Sequence, residues 1–487
     1  MKAVTAYIPS IFNDVVGPVM RGPSSSHSAA ALRIGKICRE LMQDDPGRVL
    51  ISYDKRDALA TTHESQGSDM GMKGGLLGFD PDDERLLDAD KYLAEAGIEL
   101  SFSVCDTGFD LPNLYLVHLQ NGDFKMEVAA VSTGGGMIEL VQINKVPLSI
   151  KGDRPVELWF SEAGETLLKG PSPEGAVKRI ISPVVPIHAQ DSVELPFNTC
   201  RDMIQYNRKQ HLSAWELAAS YESMRGGISQ QEVYTRMGEL YQVMRASIET
   251  GLKGTQFQDR IYGAQSGAYQ KHWTDGKLVG DEALHNMILY ISAIMEVKSS
   301  MGIIVAAPTA GSCGTFPGAV LGVADALGLE EEQMVKALLA GSLTGLFIAG
   351  SSTFSAEIGG CQAECGSGAG MAAAAIATLL GGSVEQCMAA SSLALQNSLG
   401  MICDPIAARV EAPCLGRNIS SATNALSCAN MALAGYDHLI PLDEVIETMD
   451  RVGRSIPREL RCTALGGLSI TSSAREIERN LEDRKSL

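Results

Sequence analysis

An α+β region followed by a mostly α-helical region is the fold class that the sequence predicts, and three observations predict it. Within residues 1–153, short runs alternate apolar and polar positions with the period of two expected of a half-buried strand. From residue 200 onward apolar positions recur at spacings of three and four, and 306–435 is rich in Ala, Gly and Ser at that spacing, as closely packed helices require. Between these regions, over 154–199, the periodicity fades and Pro171, Pro173, Pro183, Pro186 and Pro196 punctuate the chain, which reads as a linker. The expected layout is an α+β domain at 1–153, a linker at 154–199 and a helical domain at 200–487.

Taken in order, 28–42 is a helical stretch, and strand candidates follow at 49–53, 98–105, 113–120 and 124–132. In the second of these, Ile98, Leu100, Phe102 and Val104 share one face. Gly134, Gly135 and Gly136 break the rhythm before 137–143; a turn or bulge is the usual meaning of such a triplet, and close approach of backbone to a ligand is the other. Beyond the linker, Ser229 with Glu232 forms a capping-box signature. Val233, Met237, Leu240, Tyr241, Met244, Ile248 and Leu252 then mark one buried stripe, ended by Gly251 and Gly254. The most apolar helical run, 334–350, contains Lys336 and falls short of the roughly 20 residues a bilayer span needs, so no transmembrane segment is expected. The first 20 residues lack a continuous apolar core and carry Asp14, so no signal peptide is expected either.

Charge narrows the function classes. The 487 residues carry 58 Asp and Glu against 40 Lys and Arg, a formal charge of −18. Such a surface repels phosphate backbones and anionic lipid, so neither nucleic acid nor a membrane is expected as a partner. Fifty glycines with only 5% aromatic residues favour helices packed through small side chains. Eleven cysteines, an odd number without regular spacing, suit a reducing cytoplasm in which thiols are buried, catalytic or metal-bound.

Three of these cysteines stand beside helix-breaking residues: Cys361 after Gly359 and Gly360, Cys403 before Asp404 and Pro405, and Cys414 after Pro413. Three thiolates that leave one position open suit an iron–sulfur cluster used as a Lewis acid. Plain burial is the commoner fate of a cysteine, and spacing alone leaves both readings open. Cys361 and Cys365 are four apart, but no second close pair completes a structural zinc site.

Longer motifs narrow the choice. Ala307-Pro308-Thr309-Ala310-Gly311, Gly360-Cys361-Gln362-Ala363-Glu364, and Cys403-Asp404-Pro405-Ile406-Ala407 through Pro413-Cys414 resemble the iron–sulfur-dependent L-serine dehydratases. Gly22-Pro23-Ser24-Ser25-Ser26-His27 is similar to that family's hallmark loop, as are Thr133-Gly134-Gly135-Gly136 and the acidic run from Gly78-Phe79-Asp80 to Glu84-Arg85. The resemblance covers almost the whole chain outside 154–199, as a β-type domain followed by an α-type domain. It implies that the helical domain holds a 4Fe–4S cluster on Cys361, Cys403 and Cys414. It also implies a homodimer that acts on a small amino acid, with L-serine eliminated to pyruvate and ammonia. The substrate contacts it implies are Ser24, Ser25, Ser26, Gln66, Ser68, Asp69, Ser132, Gly134, Gly135, Thr309, Gly311 and Ser312, with His27 or His63 as the base.

Each motif also has a reading without the resemblance. Ser24 to His27 precede a helix, where hydroxyls and backbone N–H groups either clasp a carboxylate or simply cap the helix. Residues 307–314 either approach a small anion or connect two helices. Arg417, Asn418 and Asn424 either orient ligands or serve as surface caps.

The chain departs from the family pattern at two points. Where members commonly carry His-Gly-Thr-Asp or His-His-Thr-Asp, it reads Gln66-Gly67-Ser68-Asp69, and Gln exchanges no proton near neutral pH. Some members end in a cysteine tail that caps the cluster's fourth iron, whereas this chain ends Arg484-Lys485-Ser486-Leu487, with Cys462 some way before. The 154–199 segment is too short for the regulatory domain some relatives insert there, so no such regulation is expected. No lysine stands out as a Schiff-base partner for pyridoxal phosphate. The rivals are the same scaffold acting on L-cysteine or another 3-hydroxy amino acid, and a non-catalytic cluster sensor.

Overall fold

The computed structural model describes residues 7–43, 46–168, 175–190 and 193–485; Pro171, Pro173, Ser486 and Leu487 lie outside them. In chain order its strands are β1 Val19–Met20, β2 Arg48–Asp54, β3 Glu99–Cys105, β4 Leu114–Asn121, β5 Phe124–Gly134, β6 Met137–Ile143, β7 Val146–Ile150, β8 Val156–Phe160, β9 Leu167–Leu168, β10 Val177–Ile181 and β11 Ile304–Val305. A six-stranded sheet has the order β3-β2-β4-β5-β6-β7. Only β2 and β3 run parallel, which is why helices Ser68–Leu76 and Ala89–Glu95 intervene between them.

Helix Ala30–Leu41 packs Ile34, Ile37 and Leu41 into the same core as Tyr53, Tyr115, Val117 and Leu140 of the sheet. Each predicted strand of this region is present, shifted by a residue or two at its ends. The face expected of 98–105 is only half realised. β3 is the sheet's edge, so Leu100 and Phe102 are half-buried and Val104 is 48% exposed.

Two chain boundaries are not boundaries in space. The expected linker is not a tether, because β8, β9 and β10 form a three-stranded sheet of order β10-β8-β9, and Phe160 and Ile181 enter the first core. Runs of five residues or fewer among prolines are too short to register as periodicity, and only their pairing reveals them. Conversely, the first described residues belong with the helices. Ile11, Phe12, Val15, Val16 and Met20 share a core with Leu343, Leu346 and Phe347, and β1 pairs antiparallel with β11. Polar contacts hold this segment: Ile11 N donates to Glu222 Oε2 at 2.7 Å, and the Asn13 amide exchanges hydrogen bonds with the Ile187 backbone at 2.7 and 3.0 Å.

The helical region follows its Ala, Gly and Ser pattern. Helices Thr315–Ala326, Glu331–Ser351, Cys365–Leu379, Val384–Gln396 and Cys414–Leu433 surround a core in which every residue of 365–377 is buried. Glu331–Ser351, longer than the run read from sequence, reaches the length and apolarity of a bilayer span, but 78% of that window is buried in the protein. It is a core helix, with Gly345 against Val15 and Met371. Helix Gln230–Leu252 begins at Ser229, whose side chain accepts from Glu232 N, and buries Val233, Met237, Tyr241, Met244 and Ile248. Leu240 and Leu252 are partly buried beside them.

Glycines set how closely the first helices approach. A Cβ on Gly71 would lie 2.0 Å from Ser28 O, and one on Gly75 2.1 Å from Leu32 O, so Ala30–Leu41 and Ser68–Leu76 meet backbone to backbone. Gly75→Ala is expected to lower unfolding free energy by about 1–3 kcal/mol in urea titrations. Gly238→Ala, mid-helix with nothing within 4 Å of its Cβ, is expected to leave stability unchanged or raise it by up to about 1 kcal/mol.

Candidate active site

Residues 24–29 form one wide turn that runs directly into helix Ala30–Leu41. Ser24 makes no side-chain cap to that helix; its hydroxyl turns to His27 instead. The His27 ring is fully buried, with Nδ1 3.0 Å from Ser24 Oγ and 3.3 Å from Ser26 Oγ, and Nε2 2.9 Å from Thr62 Oγ1. Ser26 Oγ donates to Glu357 Oε1 at 3.2 Å, and Ser355 Oγ donates to Glu357 Oε2 at 2.6 Å. Burial pushes the His27 pKa below the usual histidine value, with the Glu357 carboxylate opposing, so the ring is neutral at neutral pH.

The loop after β11 closes on this turn. Ala310 N donates to Ser25 Oγ at 3.1 Å. Thr309 Oγ1 donates to Glu364 Oε1 at 2.7 Å and lies 3.1 Å from Ser312 Oγ. A Cβ on Gly311 would sit 2.7 Å from Glu364 Oε1, so glycine is required for the carboxylate to reach this loop. Burial, reinforced by charge at Cys361, pushes Glu364 up to about 8.

The glycine triplet serves as both a turn and a close approach. It links β5 to β6 with φ of +104°, +61° and +90°, and a Cβ on Gly134 would lie 2.8 Å from Ser355 N. Gly135 faces Pro308 O, with a Cβ distance of 3.2 Å. Nearby, Ser132 Oγ and Asn113 Oδ1 are buried with no hydrogen-bond partner among the described residues.

Cys361, Cys403 and Cys414 are all at least 95% buried. Cys361 follows Gly360, whose φ of +72° and Cβ distance of 2.8 Å to Met401 O admit only glycine. Cys403 lies in irregular backbone bridged to a distant segment: Cys403 N donates to Leu460 O and Cys462 N to Cys403 O, both at 2.8 Å. Cys414 instead opens helix Cys414–Leu433. Two cysteines left aside by the sequence reading join them. Cys365 and Cys462 pack in one small buried cluster with Cys361 and Cys403. The Cys361 thiol is held below its ordinary value by the neighbouring Cys365 thiol first and by the Arg417 guanidinium beside it. Among the described residues, no three His, Cys, Asp or Glu side chains converge on one metal-ion position.

Two cations flank the thiols. Arg417 pairs with Asp404, and its Nη1 is buried without a partner among the described residues. Lys298 is fully buried at the end of helix Glu282–Ser299 and donates to Val410 O, on the loop between Cys403 and Cys414. The sequence reading passed over this lysine, although a lysine that continues an apolar helical run was its available signal. Glu357, Glu364 and Thr62 were also missed as functional groups, because only folding brings them to His27 and Thr309.

The 63–69 segment divides among three roles. His63 Nδ1 lies 2.9 Å from Asp69 Oδ1 and Oδ2, its ring stacks on Tyr53 at 4.7 Å, and Tyr53 donates to Asp69 Oδ1 at 3.0 Å. Gln66 is buried and donates through Nε2 to Cys462 Sγ at 3.6 Å. Ser68 is fully buried, its hydroxyl 2.8 Å from that of Tyr115 in the sheet core. Asn424 ties two helices together, receiving a bond from Asn397 and donating to Ala394 O.

Asn418, in contrast, organises the site. Its Oδ1 accepts from Thr315 N at 3.0 Å and Thr315 Oγ1 at 2.9 Å, while Nδ2 donates to Gly311 O at 2.9 Å and Cys414 O at 2.8 Å. Asn418→Ala strands these buried backbone groups and is expected to lower stability by about 2–4 kcal/mol in urea unfolding.

Residues 209–469 match the family described as serine dehydratase alpha chain. The chain is 35% identical over 285 residues to a probable L-serine dehydratase, alpha chain, of Bacillus subtilis, covering 58% of this chain and 95% of that one. It is 36% identical over 285 residues to the L-serine dehydratase, alpha chain, of Peptoniphilus asaccharolyticus, covering 58% and 97%. Similarity to L-serine dehydratase 2 of Escherichia coli extends further, at 28% identity over 472 residues, 92% of this chain and 96% of that one. With the helical region matched over most of its length and the α+β region joined to it on one polypeptide, the chain belongs to the L-serine dehydratase family in its single-chain form.

Proposed function

We propose that this enzyme converts L-serine to pyruvate and ammonia by β-elimination, with a 4Fe–4S cluster held by Cys361, Cys403 and Cys414. The observation that carries the reading is that the buried thiols Cys361, Cys403 and Cys414 each lie within electrostatic reach of Glu364, which accepts a hydrogen bond from Thr309. The donor set suits the group. The thiols come from separate elements, and Arg417 Nη1 is a buried donor lacking a partner beside them. Thiolates in a low-dielectric site need counter-charge, which Arg417 and Lys298 supply. When bound, the cluster supplies a Lewis acid that makes hydroxide a tolerable leaving group.

The protein's own groups do the rest. Ser132 Oγ and the loop of Thr309 and Ser312 hold the amino acid through hydrogen bonds, and glycines at 134, 135 and 311 let Ser355, Pro308 and Glu364 close in around these groups. His27, neutral and buried, removes the α-proton as the β-hydroxyl leaves. The resulting enamine tautomerises to an imine, and water releases ammonia and pyruvate. His63 is bound to Asp69 and stacked on Tyr53, an arrangement that supports a structural role and leaves the base to His27. All eleven cysteines are free, as a cytoplasmic enzyme requires.

Anaerobic reconstitution with iron and sulfide, followed by ammonia assays on L-serine, L-threonine and L-cysteine, tests the reading. A brown protein that deaminates L-serine is expected, and a brown protein releasing sulfide from L-cysteine alone would transfer the assignment to that substrate. Cys403→Ser is expected to abolish the visible absorbance of the reconstituted protein. His27→Asn is expected to lower kcat on L-serine by about 10²-fold or more, and His63→Ala much less.

A further inference from the structure

We propose that Thr62 is a positioning residue that fixes His27 with its proton on Nε2, making Nδ1 the atom that receives the substrate's α-proton. The inference rests on His27 as the base. Thr62 is fully buried, and its Oγ1 lies 2.8 Å from Ala58 O and 2.9 Å from His27 Nε2. A hydroxyl carries one proton, and a carbonyl can only accept. With that proton directed to Ala58 O, Thr62 Oγ1 offers Nε2 a lone pair, so Nε2 must be the protonated nitrogen.

The other side of the ring is built to match. Ser26 spends its proton on Glu357 Oε1, which leaves Ser24 Oγ, 3.0 Å away, to donate to an unprotonated Nδ1. Nδ1 also lies 3.7 Å from Glu357 Oε1. As the Cα–H bond breaks, its electron pair forms the carbon–carbon double bond while hydroxide leaves from the β-carbon. The proton passes directly to Nδ1 as the Ser24 hydroxyl turns its own proton to Ser26 Oγ, 3.2 Å away. The imidazolium so formed meets the Glu357 carboxylate on one side, with the His63 and Asp69 side chains facing it from the neighbouring segment.

Thr62→Val preserves the side chain's shape and removes the acceptor, so both tautomers become available. The test compares wild type, Thr62→Val, Thr62→Ser and His27→Asn by kcat and kcat/KM against pH on L-serine. Two-bond 15N correlation spectra of histidine-labelled protein read the ring tautomer, with His27→Asn assigning the His27 signals. The expected results are an unprotonated Nδ1 in the wild type and mixed tautomers in Thr62→Val. A kcat about 10²-fold lower in Thr62→Val, recovered in Thr62→Ser with unchanged circular dichroism, is also expected. An unprotonated Nε2 in the wild type overturns the proposal, as does wild-type kcat with an unaltered pH profile in Thr62→Val while His27→Asn is inactive. His27→Asn turning over at the wild-type rate overturns the assignment of the base itself, a different failure.

Discussion

The hydrogen bond from Ala310 N to Ser25 Oγ marks the constraint on which the rest of the structure depends. At that seam two cores meet through polar groups largely shielded from water, so they are satisfied by partners on either side of it. Ser26 reaches Glu357 and Gln66 reaches Cys462 from one half to the other, while Thr309 reaches Glu364 within the helical half. A buried donor or acceptor left unmade costs about 1–3 kcal/mol, so a network of this size defines the relative position of the halves far more sharply than apolar burial does.

The crossing of the chain reinforces this. Residues 8–20 leave the α+β region and enter the helical core, where β1 pairs with β11 directly before the Thr309 loop. The Ser24 turn therefore starts from an anchor in the helical region and ends in a helix of the α+β region. Its hydroxyls stay at the seam because both ends are held. The thiols are anchored in a similar way, with Cys403 bridged to 460–462 and Cys414 tied through Asn418 to the loop of Gly311.

Three of the nine buried side-chain atoms without a partner among the described residues lie where a substrate or a thiolate-bound group is proposed. Ser132 Oγ, Asn113 Oδ1 and Arg417 Nη1 are buried without partners among the described residues. Such atoms are costly in a folded protein and are retained where another molecule supplies the missing bond. Neutral His27 and Glu364 near 8 share the same cause, since burial disfavours charge on either group. One low-dielectric site therefore provides a ready proton acceptor and a carboxyl close to its protonation point.

Local pattern alone determined much of this protein. Period-two alternation marked the strands of the first region, three-and-four spacing marked helix Gln230–Leu252, and the Ala, Gly and Ser content marked the buried bundle. These are properties of neighbouring residues, which is why the sequence displays them. Motifs likewise exposed Ser24 to His27, the glycine triplet and the three cysteines. Tertiary structure alone decided the rest. The strands of 154–199 are too short to register singly, residues 8–20 belong to a core hundreds of residues away, and Ser68 turns to Tyr115 rather than to the thiols. Thr62 and Glu357 carry no local signature, and the sequence context of Lys298 and Cys462 does not say what either meets. Their roles come from burial beside a partner distant in sequence, and burial is a property of the folded chain.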